Sequence, residues 1–394
     1  MKKLLLATAS VALMSGAASA EDIKIGVLLA FTGPLESMAP AMAAGAELAI
    51  KEVSDSGKLL GGSTVTPVRG DTGCTDAAAA TAAANRLISS DGVKGIVGGQ
   101  CSGETTATLQ NVGIPNGMVM FSPSATSPAL STVEDNGLFF RAAPSDARQG
   151  VVMTEIMMEK GIKEAAVTYT NNDYGKGLAD SFQQAFEAAG GKVTISAAHE
   201  DGKADYSAEV GALAAAGGQA LVLAGYVDQG GSGILRGSID SGAFDTFVFP
   251  DGMVNAALEA NFGPEVTGSF GQIPASEGAG KDKFVELATA AGFDGTSVYS
   301  AESYDAAALI LLAMAAANTT DPQVYKDKIM DLANAPGEPI LPGELGKALE
   351  LVAAGTDIDY QGASGIELIG PGESAGVFKQ IEFKDGKMET VGYR

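Results

Sequence analysis

The sequence predicts an α/β protein of two lobes, each a mostly parallel sheet flanked by helices. Apolar runs rich in β-branched residues alternate with Ala-rich stretches of helical length along most of the chain, which is the pattern of βαβ units and a parallel sheet. The alternation pauses at residues 139–145 and then starts again. With 394 residues, 46% of them hydrophobic, the chain can bury two cores rather than one.

The first series of elements runs from residue 22 to residue 121. Its apolar runs predict buried strands, and the stretches between them predict helices, the first of which ends at Gly57. The predicted strands cover residues 23–29, 65–69, 93–97 and 118–121, and the predicted helices cover residues 37–54, 76–89 and 103–112.

The second series starts at residue 165 and has a similar size. The predicted strands cover residues 165–170, 193–196, 220–224 and 246–249, and the predicted helices cover residues 175–189, 206–215 and 230–242. No low-complexity linker separates the two series. We therefore expect two lobes that share crossover segments rather than two independent domains.

The last part of the chain is predicted to be mainly helical and to end in a β-hairpin. Helices are expected over residues 281–291, 302–318 and 322–333. The runs 377–383 and 387–391 flank Asp385-Gly386, a dipeptide that is typical of tight hairpin turns.

The N-terminus has the three parts of a secretory signal peptide. Lys2 and Lys3 give a basic start, residues 4–14 form a short apolar core, and Ala18-Ser19-Ala20 supplies the small residues of a cleavage site. We therefore predict cleavage after Ala20 and an exported, soluble protein. No cysteine follows the predicted cleavage site directly, which argues against a lipid anchor.

The composition narrows the possible partners. The formal net charge is −23, and −25 without Lys2 and Lys3, which disfavours binding to nucleic acid or to anionic membrane surfaces. The chain has two cysteines, Cys74 and Cys101. In an exported protein they favour a disulfide, worth roughly 3–4 kcal/mol. Two reactive or metal-binding thiols are the alternative.

Two segments predict a binding site. Residues 93–104 and 118–126 are each an apolar run that ends in Gly or Pro and then presents small hydroxyl residues. If the two strands are neighbours, Ser102, Ser124 and Thr126 meet at the carboxyl edge of one sheet, where backbone N–H groups and a helix dipole favour an anion. A small molecule with a carboxylate fits this edge. The alternatives are a helix N-cap for Ser102 and a turn hydroxyl for Thr126.

Catalytic chemistry has little support in the sequence. An exported hydrolase is the rival function, but its triad would depend on the single histidine, His199, which we expect to be a solvated loop residue before Asp201-Gly202. The chain has no Gly-x-Ser-x-Gly segment and no phosphate-binding loop. We predict no catalytic residue, no cofactor and no His or Cys metal site, and leave calcium on carboxylates open. A ligand-sensing domain that acts through a separate receptor is a third possibility.

The sequence resembles the periplasmic binding proteins of branched-chain amino acid ABC transporters, the Leu/Ile/Val-binding group. The matching stretches are IKIGVLLAFTGP at 23–34, DTGC at 71–74, CS at 101–102, FSPSAT at 121–126, DYGKGLA at 173–179 and YDAA at 304–307. This resemblance implies a two-lobed type I periplasmic binding protein with three hinge crossovers, near Ala143-Pro144, Gln272 and Gln361-Gly362. The first lobe would then comprise residues 21–143 and 273–362, and the second lobe residues 144–272 and 363–394.

The resemblance also implies a set of site residues. In the family, a serine after the second cysteine and a threonine in the Ser-Pro-x-Ala-Thr segment hold the ligand carboxylate, and an acidic residue of the second lobe holds the ammonium. The acidic residue is usually a glutamate, whereas the aspartate here is one methylene shorter and could also belong to a Pro-Asp-Gly turn. The matching positions are Ser102, Thr126, the backbone of Ser124, Asp251, the tyrosines Tyr174 and Tyr226, and Met38 on the side-chain side. The family's disulfide falls on Cys74 and Cys101.

Two of these positions carry a further expectation. Tyr174 and Tyr226 would close over the ligand, although each could instead pack at the base of a loop. Met38 stands where the family often has tryptophan, and this chain has no tryptophan, which implies a rebuilt side-chain pocket. The resemblance thus implies a periplasmic protein, expected to be monomeric, that captures an amino acid and delivers it to a membrane permease. The expected ligand is a branched aliphatic amino acid, and the alternatives are another amino acid, an amide or a small carboxylate without an amine.

Overall fold

The computed structural model describes residues 20–275 and 277–394. Apart from Ala20, the predicted signal peptide lies outside the described residues. The described chain forms two seven-stranded sheets and one two-stranded sheet. The prediction of two mostly parallel sheets flanked by helices is confirmed.

Sixteen strands lie within the described residues. They are β1 (Asp22–Leu29), β2 (Thr64–Asp71), β3 (Ile96–Gly98), β4 (Met120–Ser122), β5 (Phe139–Pro144), β6 (Glu164–Thr170), β7 (Lys192–His199), β8 (Ala220–Ala224), β9 (Phe247–Phe249), β10 (Phe270–Pro274), β11 (Glu338–Ile340), β12 (Ile358–Tyr360), β13 (Leu368–Ile369), β14 (Glu373–Ser374), β15 (Phe378–Lys384) and β16 (Lys387–Tyr393).

Helices connect most of these strands. They are α1 (Ala39–Ser56), α2 (Ala77–Arg86), α3 (Ser102–Thr108), α4 (Ile114–Asn116), α5 (Asp146–Glu159), α6 (Asp173–Ala188), α7 (Ser207–Ala216), α8 (Gly230–Ser241), α9 (Ala256–Phe262), α10 (Ala279–Ala291), α11 (Ser300–Ala317), α12 (Pro322–Tyr325), α13 (Ile329–Leu332) and α14 (Leu345–Ala353). The segments Leu87–Asp91 and Leu109–Gly113 extend α2 and α3 as π-helical turns.

The two large sheets have matching topologies. The first sheet has the order β13-β14-β5-β4-β3-β1-β2, and the second has the order β16-β15-β10-β9-β8-β6-β7. Strands β1 to β5 pair in parallel, as do β6 to β10. The hairpin of β15 and β16 closes one edge of the second sheet and turns at Asp385-Gly386, as predicted. We call the first sheet with its helices the first lobe, and the second sheet with its helices the second lobe.

The core of the first lobe is built around α11. Its face toward α1 is close-packed, because Gly45 has no Cβ and a Cβ there would lie 2.1 Å from the carbonyl oxygen of Ser300. By length and composition Ser300–Ala317 could cross a membrane, but 78% of it is buried inside the described structure. It is therefore a core helix, since an apolar helix covered on all sides needs no lipid.

The structure differs from the predicted elements where the alternation seemed to pause. Residues 139–144 form the fully buried strand β5, whose charged Arg141 hid its strand character. Helix α5 follows directly and was not predicted, although Ser145 accepts a hydrogen bond from the backbone of Ala147 as an N-cap should. Strands β10 to β14 were also not predicted, because most are too short to show a period.

The sheets also correct one predicted lobe boundary. Strands β13 and β14 belong to the first sheet, where β14 pairs with β5. The chain therefore returns to the second sheet between Ser374 and Phe378, whereas the prediction assigned all of residues 363–394 to the second lobe. A pairing between strands of two and six residues, far apart in the sequence, leaves no local signal. The other boundaries stay predictions.

Candidate functional site

The candidate site lies between the lobes, at the carboxyl ends of central strands. The first sheet changes its direction of winding between β3 and β1, and the second sheet between β8 and β6. Ligands of open α/β sheets bind at such switch points, because the loops there leave on opposite faces and open a crevice. Larger grooves exist on the surface. We select the cavity between the lobes because it lies at the switch points of both sheets.

We call this cavity the interlobe pocket. It has about 310 Å³ of space not filled by protein atoms, open solvent at its mouth included. Its walls are Leu35, Met38, Gln100, Cys101, Ser102, Ser124, Tyr174, Tyr226, Asp251, Gly252 and Tyr299. The structure thus brings together six of the seven residues that the sequence predicted, and Thr126 lies just outside this wall. Their contacts with a ligand stay predictions.

Ser102 is placed by the loop between β3 and α3. Its Oγ accepts hydrogen bonds from the backbone N–H groups of Thr126 (3.2 Å) and Ser127 (3.0 Å). A hydroxyl has two acceptor sites and one proton, so these two bonds leave the Ser102 proton free to donate, and Ser102 lines the pocket. The N-cap position itself is occupied by Cys101, not Ser102. The simple alternative of an N-cap serine is therefore wrong.

The loop after β4 carries the other two hydroxyls. Ser124 Oγ donates to the carbonyl oxygen of Gln100 at 2.8 Å, and the backbone N–H of Ser124 donates to Ser122 Oγ at 3.3 Å. Thr126 is 1% exposed, and its Oγ1 has no hydrogen-bond partner within 3.5 Å among the described residues. The hydroxyl does act on the buried carboxyl of Asp146, whose pKa it lowers, which sets Thr126 apart from a turn hydroxyl that bonds only within its own loop.

Arg141 holds this loop from behind and was not predicted. Its side chain is 1% exposed, and Nη1 donates to the carbonyl oxygens of Ala125 (3.1 Å) and Ser127 (2.9 Å). Its Nη2 pairs with Glu373 of β14. The arginine thus joins the loop to the edge of the first sheet, because one guanidinium can donate to several acceptors in one plane.

Asp251 supplies the carboxylate of the second lobe. It follows β9 and is 3% exposed. Its Oδ1 accepts from Tyr174 Oη at 3.0 Å, and its Oδ2 accepts from Tyr299 Oη at 2.7 Å. Burial raises the pKa of Asp251, and the two tyrosine hydrogen bonds partly oppose that rise. Tyr299 belongs to the first lobe, so its bond to Asp251 crosses between the lobes.

The predicted tyrosines form one wall of the pocket. The rings of Tyr174 and Tyr226 stack with centroids 5.3 Å apart and planes 11° apart. Tyr174 Oη also accepts from the backbone N–H of Gly252, and Tyr226 Oη accepts from Asn172. A side chain at position 252 would approach Tyr174 Oη to 2.7 Å. The glycine after Asp251 is therefore needed for close contact.

The opposite wall is apolar and was predicted only at Met38. Leu35 and Met38 lie between β1 and α1, and both are buried. Gln100 fixes this segment: its Oε1 accepts from Ala30 N (3.0 Å), and its Nε2 donates to Leu35 O (3.2 Å). No pattern in the sequence identifies Leu35, Gln100 or Tyr299, because each acts through a contact distant along the chain.

The disulfide between Cys74 and Cys101 is present, as predicted. It joins the segment after β2 to the start of α3, directly before Ser102. Because Cys101 also lines the interlobe pocket, the disulfide supports the pocket wall. Among the described residues no group of His, Cys, Asp and Glu could hold a metal ion.

Asp146 is the acidic residue that sequence reasoning missed. It occupies the first turn of α5, is 0% exposed, and neither carboxylate oxygen has a hydrogen-bond partner among the described residues. Burial raises its pKa well above the usual range, and the nearby charge of Asp251 raises it further. Because α5 itself was not predicted, its sequence neighbours gave no reason to inspect it.

The prediction for His199 is wrong. The residue ends β7 and is 1% exposed, and its Nδ1 lies 2.8 Å from Thr168 Oγ1. Desolvation lowers its pKa to about 4, so the ring is neutral at pH 7. The polar residues that follow it are exposed or partly exposed, which explains why the sequence suggested a solvated loop.

Contacts around Ser37 join the lobes at the mouth of the pocket. Ser37, just before α1, donates from N (3.0 Å) and Oγ (2.6 Å) to Asp228 Oδ2 of the second lobe. Asn255 Nδ2, also of the second lobe, donates to Ser37 Oγ at 2.8 Å. Together with the Tyr299–Asp251 bond, these contacts hold the two lobes against each other.

Comparison with solved structures places this arrangement among known folds. A leucine-binding protein, LivK, from Thermotoga maritima superposes with a TM-score of 0.80 at 22% identity, covering 94% of this chain and 98% of that one. A solute-binding protein of an ABC transporter from R. palustris in complex with benzoate superposes with a TM-score of 0.74 at 19% identity, covering 94% and 96%. At these identities the likeness shows the fold.

Comparison of sequences shows the family. The family model described as periplasmic binding protein matches residues 22–336. Leu/Ile/Val-binding protein homolog 1 of Brucella melitensis biotype 1 is 31% identical over 356 residues, which cover 86% of this chain and 93% of that protein. A leucine-, isoleucine-, valine-, threonine- and alanine-binding protein of Pseudomonas aeruginosa is 29% identical over 82% and 86%. This chain belongs to the periplasmic binding protein family.

Proposed function

We propose that the protein is the substrate-binding component of an ABC transporter, that it captures an amino acid with a branched aliphatic side chain, and that it delivers this ligand to a membrane permease. It acts in the periplasm after cleavage behind Ala20, binds as a monomer, and catalyses no reaction. Relatives named as Leu/Ile/Val-binding proteins support this proposal at about 30% identity.

The proposal rests mainly on two groups of the interlobe pocket, a hydroxyl donor in the first lobe and a carboxylate in the second. Ser102 of the first lobe lines the pocket and keeps a hydroxyl proton to donate, and Asp251 presents a buried carboxylate from the second lobe. A zwitterion matches this arrangement, because its carboxylate accepts from hydroxyl and backbone donors while its ammonium donates to a carboxylate. A desolvated ammonium requires such a partner.

The remaining wall suits an apolar ligand side chain. Leu35 and Met38 are both buried and offer hydrocarbon and a thioether instead of hydrogen-bonding groups. Methionine adapts its shape to irregular apolar partners. A branched aliphatic group packed here stays compatible with the small volume of the pocket, whereas a long charged side chain would be desolvated without a partner.

Closure supplies the mechanism of capture. The ligand first binds the hydroxyls of the first lobe and then meets Asp251, Tyr174 and Tyr226 as the second lobe approaches. Since these contacts exist only when the lobes are together, the ligand favours the closed form through its additional contacts there. The permease then recognises the closed arrangement of both lobes.

An amine-free carboxylate is the second candidate ligand. Two structural neighbours from R. palustris are in complex with benzoate and 4-hydroxybenzoate, with TM-scores of 0.74 and 0.76. The stacked rings of Tyr174 and Tyr226 could contact an aromatic ligand of this kind. Against it, the buried Asp251 would repel a ligand that carries only negative charge.

A thermal-shift screen of the mature, ligand-stripped protein tests the proposal. A ligand at 100 times its dissociation constant stabilises the fold by about 2.7 kcal/mol, which is readily measured. We expect a rise in melting temperature with leucine, isoleucine or valine and none with benzoate. A rise with benzoate alone would replace the amino acid by an amine-free acid, and no rise with any amino acid would contradict the proposed ligand class.

A further inference from the structure

Buried polar atoms without partners concentrate behind the interlobe pocket. Eleven buried side-chain polar atoms of the described residues have no hydrogen-bond partner, and six of them belong to Thr126, Asp146, Gln149 and Gln272. Leaving a buried polar atom without a partner destabilises the folded state. So many at one place, next to a binding pocket, indicate a functional rather than a structural role.

Asp146 is central to this group because it faces a second acid. Its backbone N–H donates to the carbonyl oxygen of Thr126 at 2.9 Å, and Gln149 lies on the same face of α5 three residues later. The Gln149 side chain interacts with Asp251 and donates to the carbonyl oxygen of Gln272 at 3.5 Å. Asp146 and Asp251, which we call the acid pair, are near enough for the charge of Asp251 to act on Asp146, and Asp251 lines the pocket whereas Asp146 does not.

The charges around the acid pair do not balance it. The pair faces the neutral phenols of Tyr174, Tyr226 and Tyr299. The positive charge of Arg141 lowers the pKa of the Asp146 carboxyl, but less than burial raises it. Arg141 is itself paired with Glu373. When no cation pairs with two neighbouring buried carboxyls, ionising both costs much more free energy than ionising one.

We propose that the acid pair shares one proton in the ligand-free protein and that the ammonium of the bound amino acid replaces this proton, so that ligand capture releases a proton to solvent. This inference rests on the proposed function and deepens it. Asp251 contacts the ammonium, and Asp146 acts through Asp251 as a positioning residue that retains the proton until the ligand arrives.

The charge balance gives the sign of the pH dependence. The free pair with one proton carries one negative charge, and the liganded pair carries two, offset by the ammonium. Because binding releases a proton, the affinity rises with pH by up to about tenfold per unit and levels off once the free pair is ionised. A ligand without an amine cannot replace the proton and should bind without this release.

Isothermal titration in buffers of different ionisation enthalpy measures the number of protons released. We would titrate the mature protein with L-leucine and with its amine-free analogue 4-methylpentanoate at several pH values between about 5 and 8. We expect leucine to release up to one proton, less as the pH rises, and 4-methylpentanoate to release none. Leucine binding without net proton exchange across this range would overturn the proposal.

Variants locate the source of the proton. Asp146→Asn keeps the shape of the side chain but cannot ionise, so it should abolish the release, flatten the pH profile and weaken leucine binding about 10- to 100-fold. Glu104→Gln is the matched control, because Glu104 is also buried near the pocket and burial raises its pKa to about 8. Proton release that persists in Asp146→Asn but vanishes in Glu104→Gln would contradict the assignment.

The same data separate this inference from the proposed function. If no amino acid binds at any pH, the proposed function fails. If leucine binds tightly but without proton release, and Asp146→Asn binds it equally well, only the proton-sharing pair fails. Should Asp146→Asn not fold, the wild-type titrations with leucine and 4-methylpentanoate alone still decide.

Discussion

At the scale of single residues, Asp251 concentrates the largest number of functional contacts. Its two oxygens accept from a tyrosine of each lobe, so its position responds to closure as well as to the ligand. The bond from Tyr174 lies within the second lobe, so it can hold the carboxylate in place before the lobes close, which reduces the cost of ordering it on binding.

Replacing Asp251 tests the ammonium contact directly. Asp251→Ala should weaken the binding of amine-bearing ligands by about 3 kcal/mol or more, because a desolvated cation loses its partner. Calorimetry with leucine would measure this loss. Asp245→Ala, an exposed acid of the same lobe, is the control and should bind normally. Unchanged affinity in Asp251→Ala would remove the ammonium assignment.

His199 gives a second prediction at this scale, on stability. Its folded pKa of about 4 lies below the usual value of 6.5, so the unfolded chain binds the proton first as the pH falls. The contribution of His199 to the free energy of unfolding is complete above about pH 6.5 and declines as the pH falls to 4. About 2 kcal/mol of this stability is lost at pH 5.

Urea unfolding at pH 7 and pH 5 measures this effect. Between pH 7 and pH 5 the free energy of unfolding should fall by about 2 kcal/mol less in His199→Gln than in the wild type. The comparison between variants cancels the contributions of the buried carboxyls. An equal pH difference in both proteins would show that His199 is protonated in the folded state.

At the scale of elements, the loop after β4 depends on a strand far away in the sequence. Arg141 of β5 donates to the backbone of this loop and pairs with Glu373 of β14. The loop carries Thr126, so the same ion pair that joins the last strands to the first sheet also shapes the site. Stability and ligand affinity are therefore coupled at this position.

Breaking the pair on one side should show that coupling. Arg141→Met should lower the free energy of unfolding by about 3–5 kcal/mol, since it leaves a largely buried carboxylate unpaired, and it should also weaken ligand binding. Denaturant unfolding and calorimetry would measure the two effects. Adding Glu373→Gln should restore much of the stability but not the affinity. A double variant no more stable than Arg141→Met would argue against the ion pair as the cause.

At the scale of the whole molecule, polar side chains join the lobes at the pocket, and α6 of the second lobe also packs against α3 and residues 128–132 of the first. Ser37 meets Asp228 and Asn255, and Tyr299 meets Asp251. Polar contacts of this kind are replaced by water when the lobes separate, so each contributes only about 1 kcal/mol. Such weak contacts suit the opening and closure that the proposed mechanism requires.

Asp228→Ala should shift this balance toward the open form. Because the two Ser37 bonds are lost, we expect ligand affinity to fall by about 1–2 kcal/mol, mainly through faster dissociation. Small-angle scattering should show a larger radius of gyration without ligand and a normal one at saturation. Asp240→Ala, an exposed acid of the same lobe, serves as the control. Equal dissociation rates in wild type and Asp228→Ala would mean that Ser37 does not stabilise closure.

Local patterns in the sequence were enough for the architecture. Strand and helix periods follow from which side chains must be buried, so the βαβ rhythm, the parallel sheets and the terminal hairpin could be predicted. The hydroxyls at 102, 124 and 126 were predictable for a similar reason, because the carboxyl ends of neighbouring parallel strands share an edge. Asp251 and the two stacked tyrosines were predicted only from the family resemblance, because no local pattern marks them.

Tertiary contacts decided the rest, since they join residues that no local pattern relates. The strand character of β5 depends on an arginine neutralised by Glu373, and the burial of His199 depends on Thr168 and the packing of the second lobe. The charge of Asp251 acts on Asp146 although the two residues belong to segments far apart in the sequence. A chain can encode the period of its own elements, but the neighbours of a buried charge, and hence its proton, are determined only when both lobes are folded.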